Sequence, residues 1–297
     1  MDTGHPAHGP GDEMGSPQAG PTVVRMLLGD RLRQLREASG MTRADAGWAI
    51  RGSHSKISRM ETGRSSFKRR DVADLLTLYG VRDETERHGL FMLVERANTL
   101  GWLQEYGDVL SGPAAIRLEL EQCASVIRCY EPQFVPDLLQ TTDYARALMG
   151  RHCPGAQPAE IERRLGLLTK RQEALCRPEA CRLWAVVDEA ALRRQPGSAA
   201  TLRRQLGKLI EITELPHIKI QVMPFTTGVA AGGAITFLRF AEPGVPDVVY
   251  LDQFTGALYL DKPADVQHYG QVMDRLCTRA ELPAVTPAFL DRLSKEI

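Results

Sequence analysis

The sequence predicts a multidomain protein in which an all-α domain of five short helices precedes an α+β domain. Apolar residues recur with the period of a helix from Leu28 to about Asn98. After residue 180, short segments rich in β-branched and aromatic residues alternate with helical segments. The chain has 297 residues, 43% of them hydrophobic, which is enough for one small and one larger domain.

The first two predicted helices are separated by a glycine and a capping residue. Leu28, Leu32 and Leu35 recur at i, i+4 and i+7, the spacing of one helix face. Gly40 ends this helix, and Thr42 caps the next one. The second helix has a small apolar face, formed by Ala46, Ala49 and Ile50. A face this small allows another helix to approach closely.

A tight turn precedes the third predicted helix. The turn, Arg51-Gly52, contains a residue free to adopt positive φ, and Ser53 caps the helix that follows. Ile57 and Met60 lie three residues apart on its inner face. Gly63 then ends the helix, as glycine commonly does. Two helices joined by so short a turn must cross steeply.

Two further helices, around 71–79 and 83–98, complete the predicted helical domain. We assign this domain to residues 23–98 and a packed connection to residues 99–113. Residues 1–22 are predicted to form a disordered tail, because Gly, Pro and small polar residues dominate them.

The remaining residues, 114–297, are predicted to form the α+β domain. Its helices are expected near 114–130, 136–149, 158–175, 198–213, 263–279 and 287–295. Its strands are expected at 182–187, 217–222, 234–240, 247–251 and 257–260, where β-branched and aromatic residues are bounded by Gly or Pro. We expect a mixed sheet, with the helices at 198–213 and 263–279 covering one face.

Positive charge is concentrated in the helical domain, although the whole chain has a formal net charge of zero. Residues 29–80 contain eleven basic and six acidic side chains, whereas residues 101–297 contain 22 basic and 24 acidic ones. Only the first region therefore offers an electrostatic attraction to phosphate groups.

The third helix has the pattern of a helix that reads DNA. Ile57 and Met60 face inward, so polar and cationic side chains face outward. The outward-facing side chains are Ser53, Ser55, Lys56 and Arg59. A helix enters the major groove when its outer face carries short polar or cationic groups that reach bases and phosphates. This region is therefore predicted to bind double-stranded DNA.

Residues Leu28 to Val81 resemble the Xre family of helix-turn-helix regulators, which includes phage repressors and Cro. The resemblance rests on LGDRLRQLREASGMTRADA, on SHSKISRMETGR and on LLTLYGV. It implies a lambda-repressor-like fold in which the start of the third helix reads bases, a role that falls on Ser53, His54, Ser55 and Lys56. It places Arg59 at the groove or the DNA backbone; the alternative is an ion pair with Glu61 or with an acid of the first helix.

Three further basic residues join the predicted DNA-binding set: Arg43, Arg64 and Lys68. Arg43 stands where the family commonly has a glutamine that holds a DNA phosphate, and arginine also binds phosphate. Gly47-Trp48 is an unusual pair inside a helix, because glycine there costs about 1 kcal/mol relative to alanine. Trp48 is expected to pack against the DNA backbone, a partner subunit or the second domain.

Residues Trp102 to Ala288 resemble the C-terminal domain that follows an Xre module in actinobacterial regulators of the WhiJ-like and antitoxin-like group. The resemblance rests on YEPQFVPDLLQTTDYARALM, RQEAL, AVVDEAALRR, QLGKLIEI, IKIQVMPF and VVYLD. It implies a module that senses an effector or binds a small partner protein encoded nearby. Arg171, Gln172 and Glu189 are candidate ligand or partner residues, with surface pairing as the alternative.

No pattern in the chain predicts catalysis. Gly-x-Ser-x-Gly, Gly-x-x-x-x-Gly-Lys-Ser/Thr and His-Glu-x-x-His are all absent. Asp188-Glu189 follows a predicted strand, and the better interpretation of Asp188 is a helix cap. The six cysteines never form Cys-x-x-Cys, so we expect reduced, mostly buried thiols. We expect no enzyme activity, no catalytic residue, no cofactor and no metal site.

The predicted function is that of a sequence-specific transcriptional regulator, a repressor or autoregulator, acting as a homodimer. A dimer is expected because one short recognition helix reads few base pairs. The cytoplasm is the expected location, since no membrane span or secretory signal is visible. One alternative is an antitoxin-like protein whose main role is to capture a partner protein. The other is an enzyme fused to a DNA-targeting module.

Overall fold

The structure is a computed structural model of the chain. It describes residues 23–63, 65–99, 103, 105–110, 112–175, 181–228, 232–241, 245–253 and 256–297. The predicted tail, residues 1–22, and the candidate residue Arg64 lie outside this set. None of the helices within it is both long enough and apolar enough to cross a bilayer.

The N-terminal region is helical. Its helices are α1 (Val23–Ala38), α2 (Arg43–Ala49), α3 (His54–Glu61), α4 (Arg69–Leu78) and α5 (Glu84–Thr99). The predicted inward positions of α1 and α3 are confirmed, because Leu28, Leu32, Ile57 and Met60 are each at most 2% exposed. These side chains hold α3 against α1 and fix which of its faces is open to solvent.

The N-terminal helices do not have a hydrophobic core separate from the rest of the protein. Helix α6 (Gly112–Cys123) follows and contacts α1. Leu118 and Leu120 of α6 belong to the same buried apolar cluster as Leu28 of α1, and this cluster continues as far as Leu293. The helices and the C-terminal region therefore share one hydrophobic core.

The C-terminal region contains a six-stranded mixed sheet. Its strands are β1 (Val126–Glu131), β2 (Arg182–Asp188), β3 (Ile218–Met223), β4 (Ile235–Arg239), β5 (Val248–Gln253) and β6 (Gly256–Leu260), in the order β3-β2-β1-β4-β5-β6. Strands β1, β2 and β3 are parallel, and β4, β5 and β6 extend the sheet in antiparallel fashion. The predicted mixed sheet is confirmed.

Strand β1 corrects one prediction. Residues 114–130 were expected to form a single helix, but α6 ends at Cys123 and residues Val126–Glu131 lie in the sheet. Two partners hold β1: Ile127 faces Leu183 of β2 and Leu238 of β4. This long-range pairing, together with β-branched and aromatic side chains, overrides the helical continuation.

The helices of this region lie on both sides of the sheet. They are α7 (Thr142–His152), α8 (Pro158–Leu175), α9 (Glu189–Arg193), α10 (Ala199–Ile212), α11 (Pro263–Arg279) and α12 (Thr286–Glu296). The helix expected at 136–149 is also corrected: a short 3-10 turn occupies Asp137–Leu139, and α7 begins only at Thr142.

The expectation that α10 and α11 share one face of the sheet is wrong. Leu206 of α10 clusters with Leu183 and Ala185 of β2, whereas Met273 of α11 clusters with Val186. Alternate residues of a strand point to opposite faces, so the two helices cover opposite faces of the sheet.

Candidate nucleic-acid interface

Local hydrogen bonds begin both helices of the α2–α3 pair. Thr42 accepts a bond from the Asp45 amide at 3.2 Å, and the Thr42 amide donates back to the Asp45 carboxylate at 3.0 Å. Ser53 caps α3 by accepting from the Lys56 amide at 3.2 Å. Both predicted caps are confirmed. The positive φ of the intervening turn falls on Arg51, at 52°, and not on the adjacent glycine.

Gly47 permits the close crossing of α2 and α3. A Cβ atom at this position would lie 2.9 Å from the carbonyl carbon of Ser53, inside the normal contact distance. The start of α3 therefore packs directly on the backbone of α2. This contact accounts for a glycine inside a helix, and the neighbouring Trp48 remains 85% exposed.

Gly47→Ala is expected to destabilise the protein by about 1–3 kcal/mol, the usual cost of overpacking. Gly207→Ala is the matched control, because Gly207 lies within α10 with nothing within 4 Å of the added methyl group. That control is expected to stabilise the protein by about 1 kcal/mol, the ordinary helix preference for alanine. Urea denaturation measures both values, and equal signs for the two variants would contradict the proposed contact.

Glu61, the last residue of α3, joins three helices through two arginines. Arg36 of α1 donates to it at 2.5 Å, and Arg43 of α2 donates at 2.7 Å. The Glu61 side chain is only 3% exposed. Burial disfavours its charged form, but the hydrogen bonds from the arginines outweigh burial and lower the pKa of Glu61 below its usual value. This triad of Arg36, Arg43 and Glu61 fixes the end of α3.

This triad bears on two predicted DNA-binding residues. Arg43 is held by Glu61 and remains partly exposed, so its phosphate-binding role stays a prediction. The alternative pairing of Arg59 with Glu61 is not found, because Arg36 and Arg43 occupy that carboxylate. Arg59 is exposed and makes no ion pair with any residue that the structure describes.

The predicted base-reading residues divide into two groups. Ser53, His54 and Ser55 are exposed at the start of α3. Lys56 is different, because its amino group donates to Asp71 of α4 at 2.6 Å. This ion pair ties α3 to α4 and holds the amino group of Lys56 at Asp71.

Three further exposed cations lie on the segments beside α3. They are Arg51 in the turn, Lys68 just before α4 and Arg70 in the first turn of α4. None of the three forms an ion pair within the described part of the chain. Lys68 was predicted to belong to the site, whereas Arg51 and Arg70 were not. The charge surplus of residues 29–80 was the signal that could have included them.

The three candidate residues of the C-terminal region have partners within the protein. Arg171 is 6% exposed and donates to Glu121 at 2.9 and 2.8 Å. Gln172 donates to the Asp137 and Gln140 carbonyls at 3.2 and 2.7 Å. These two side chains therefore hold the loop before α7 against α8.

Glu189 belongs to a different part of the fold. It accepts from Arg193 at 2.7 Å and from the Phe225 amide at 3.0 Å, so it links α9 to the end of β3. Its neighbour Asp188 caps α9 by accepting from the Ala190 amide at 2.9 Å, as predicted. A ligand or partner role for Arg171, Gln172 and Glu189 stays a prediction.

Among the described residues, no group of three or more His, Cys, Asp or Glu side chains is arranged so that it could hold a metal ion. Five of the cysteines are described, and none of these five forms a disulfide bond. Cys123 and Cys129 are buried, and the other three are partly exposed.

Comparison with known proteins divides the chain in the same way as its architecture. Residues 27–90 match the model of a helix-turn-helix domain. Residues 117–292 match the model of a domain of unknown function, DUF5753. No curated protein and no solved structure matches the chain. Since the second match covers more than half of the 297 residues, the chain belongs to the DUF5753 family and carries a helix-turn-helix domain in front of it.

Proposed function

We propose that this protein is a sequence-specific regulator of transcription that binds double-stranded DNA as a homodimer. The supporting observation is the exposed start of α3, where Ser53, His54 and Ser55 project from a helix whose opposite face is buried. This is the geometry of a helix that enters the major groove. We further assign the chain to the Xre type and to the WhiJ-like group of these regulators, acting by binding and not by catalysis.

Within this proposal, the exposed residues have separate roles. Ser53, His54 and Ser55 are close enough to the helix start to reach base edges, and Arg59 lies one turn further along. Arg51, Lys68 and Arg70 flank the helix and supply contacts to phosphates, which position the protein without reading sequence. Lys56 contributes mainly through its bond to Asp71, which fixes α3.

Arg59→Ala is expected to weaken binding to the cognate site by about 1–3 kcal/mol. Fluorescence anisotropy measures this with labelled DNA from upstream of the protein's own gene and with scrambled DNA, over a series of salt concentrations. A loss confined to the cognate DNA assigns Arg59 to base reading. An equal loss on both DNAs, with a salt slope lower by about one, assigns it to phosphate.

Arg203→Ala is the control for charge, because Arg203 is exposed on α10 without an ion pair among the described residues. It should leave both affinities unchanged. Lys56→Ala should reduce thermal stability together with binding, since it breaks the link to α4. If wild type binds both DNAs with equal weak affinity, or Arg59→Ala matches Arg203→Ala, the proposed interface is wrong.

A second function, capture of a small partner protein, is favoured by an exposed apolar surface in the C-terminal region. Phe225, Leu282 and Val285 are 58%, 68% and 43% exposed. A groove lined by Pro224, Val285 and other residues lies beside them. Apolar patches of this kind mark interaction sites. Co-purification of a neighbouring gene product that is lost in Leu282→Asp would favour this antitoxin-like function.

A further inference from the structure

A cavity of about 520 Å³ lies between α11 and one end of the sheet. It is bounded by the start of β4 and the end of β5. Its floor is formed by the apolar side chains of Ile235, Leu251 and Leu276, which are 4%, 9% and 4% exposed and so each present a narrow surface to it. Tyr269 and Val272 of α11 extend this surface. Cavities of about 300–1,000 Å³ with apolar walls and a few polar groups are typical of sites for small molecules.

The rim of this cavity is cationic. Arg275 and Arg279 both line it, and they lie one helical turn apart on the same face of α11. Both are exposed, and neither is part of an ion pair within the ranges that the structure describes. The adjacent acid, Asp274, is held by Arg128 at 2.7 Å and so does not neutralise Arg275.

Asp252 of β5 also lines the cavity, but its side chain alternates with that of Leu251 and therefore points to the other face of the sheet. It accepts a hydrogen bond from the Tyr250 hydroxyl at 3.2 Å. The rim therefore has two guanidinium groups, and the only carboxylate among the described lining residues faces away from them, which leaves the rim positive. Arginine pairs are well suited to an anionic oxygen group, since each presents several donors in a fixed plane.

Within the described part of the chain, the wall that faces α11 is open at Gly232 and Gly233. Gly232 and Gly233 line the cavity, and a methyl group added at either position would have nothing within 4 Å. The bare backbone here leaves room for a bulky apolar group to enter over the floor. The cavity thus combines an apolar base, a cationic rim on one side and open access on the other.

We propose that this cavity binds a small amphipathic anion: an apolar body that lies on the floor, and one carboxylate or sulfonate group that is held by Arg275 and Arg279. The inference rests on the cavity alone and does not depend on DNA binding. The proposed site lies beside α11, on the face of the sheet opposite α10. It includes none of the candidate site residues that the sequence predicted.

The test uses two fluorescent probes that differ in one group. The first is 1-anilinonaphthalene-8-sulfonate, and the second is N-phenyl-1-naphthylamine, which has the same rings without the sulfonate. Both are titrated into the full-length protein. The wild type is expected to bind the sulfonate more tightly than the neutral probe.

The double variant Arg275→Gln with Arg279→Gln should weaken sulfonate binding by at least about tenfold, because the loss of even one charge-assisted hydrogen bond has that effect, and leave the neutral probe unchanged. Arg203→Gln is the matched control and should change neither. Val272→Trp fills the cavity and should remove one binding site for both probes. Circular dichroism verifies that each variant is folded.

Three results would overturn the proposal. In the first, wild type fails to bind the sulfonate probe. In the second, the double variant binds the sulfonate as tightly as Arg203→Gln does. In the third, the double variant loses affinity for both probes equally, which would show that the arginines do not recognise the anionic group.

Discussion

Glu61→Gln is expected to destabilise the protein by about 3–5 kcal/mol, because it removes the negative partner from a buried ion pair. Arg36 is 7% exposed and would keep its charge with only the exposed carboxylate of Glu37, at 3.2 Å, to balance it. The end of α3 would then lose its link to α1 and α2. Chemical denaturation followed by circular dichroism measures the loss, and DNA affinity should fall with it.

The pH dependence of this effect has a defined sign. The folded protein lowers the pKa of Glu61, so the stability that its charge contributes is present above the pKa of the unfolded chain. That contribution is lost as the pH falls through the folded pKa. The difference between wild type and Glu61→Gln should therefore be large at pH 7 and shrink in acid.

Glu211→Gln is the control for Glu61→Gln, since the Glu211 side chain is 70% exposed and pairs only with Lys208 of the same helix among the described residues. Exposed pairs of this kind contribute about 0.2–1 kcal/mol. If Glu61→Gln costs no more than Glu211→Gln, the triad does not organise the helix pair.

Arg171→Met is expected to cost a similar amount, about 3–5 kcal/mol, for a different region of the fold. Arg171 donates two hydrogen bonds to Glu121 of α6 and one to Asp137 at 3.3 Å. Glu121 is itself only 12% exposed on its side chain. The variant would leave this carboxylate buried and unbalanced, and it would loosen α8 from α6.

A double variant separates loss of the pair from loss of packing. Arg171→Met with Glu121→Leu removes both charges, so it should recover a large part of the lost stability. Arg204→Met is the surface control, because Arg204 is 57% exposed and pairs with Asp143 at 2.8 Å. It should cost less than about 1 kcal/mol. A double variant no more stable than Arg171→Met alone would contradict the assigned pairing.

Features set by neighbours in sequence were predictable. The caps at Thr42, Ser53 and Asp188 depend on residues two or three positions away, and each is found as predicted. Helices α8 and α11 begin and end at the expected residues, because their apolar period and flanking residues are local signals.

Features set by distant parts of the chain were not predictable. The sequence gives no sign that Arg43 bonds to Glu61, 18 positions away, or that Arg171 bonds to Glu121, 50 positions away. Such pairs form only when the fold brings helices together. The candidate DNA-binding set therefore included Arg43 and Lys56 without their protein partners.

The connections between the strands explain why α10 and α11 lie on opposite faces of the sheet and not on one face as predicted. Helix α10 lies in a connection between two parallel strands, and such right-handed crossovers place consecutive helices on one side of a sheet. Helix α11 follows the antiparallel strand β6, where this rule does not apply. Both helices have an apolar stripe, and the stripe alone does not identify the face.

The shared core of α1 and α6 has a consequence for how the protein can be divided. Leu118 and Leu120 of α6 continue the apolar cluster that holds Leu28 of α1, so cutting the chain before α6 would expose part of that cluster to water. We therefore expect that the helix-turn-helix domain does not fold stably when it is separated from α6. Folding of the sheet and presentation of α3 form one cooperative unit, and a loss of stability in either reduces the population able to bind.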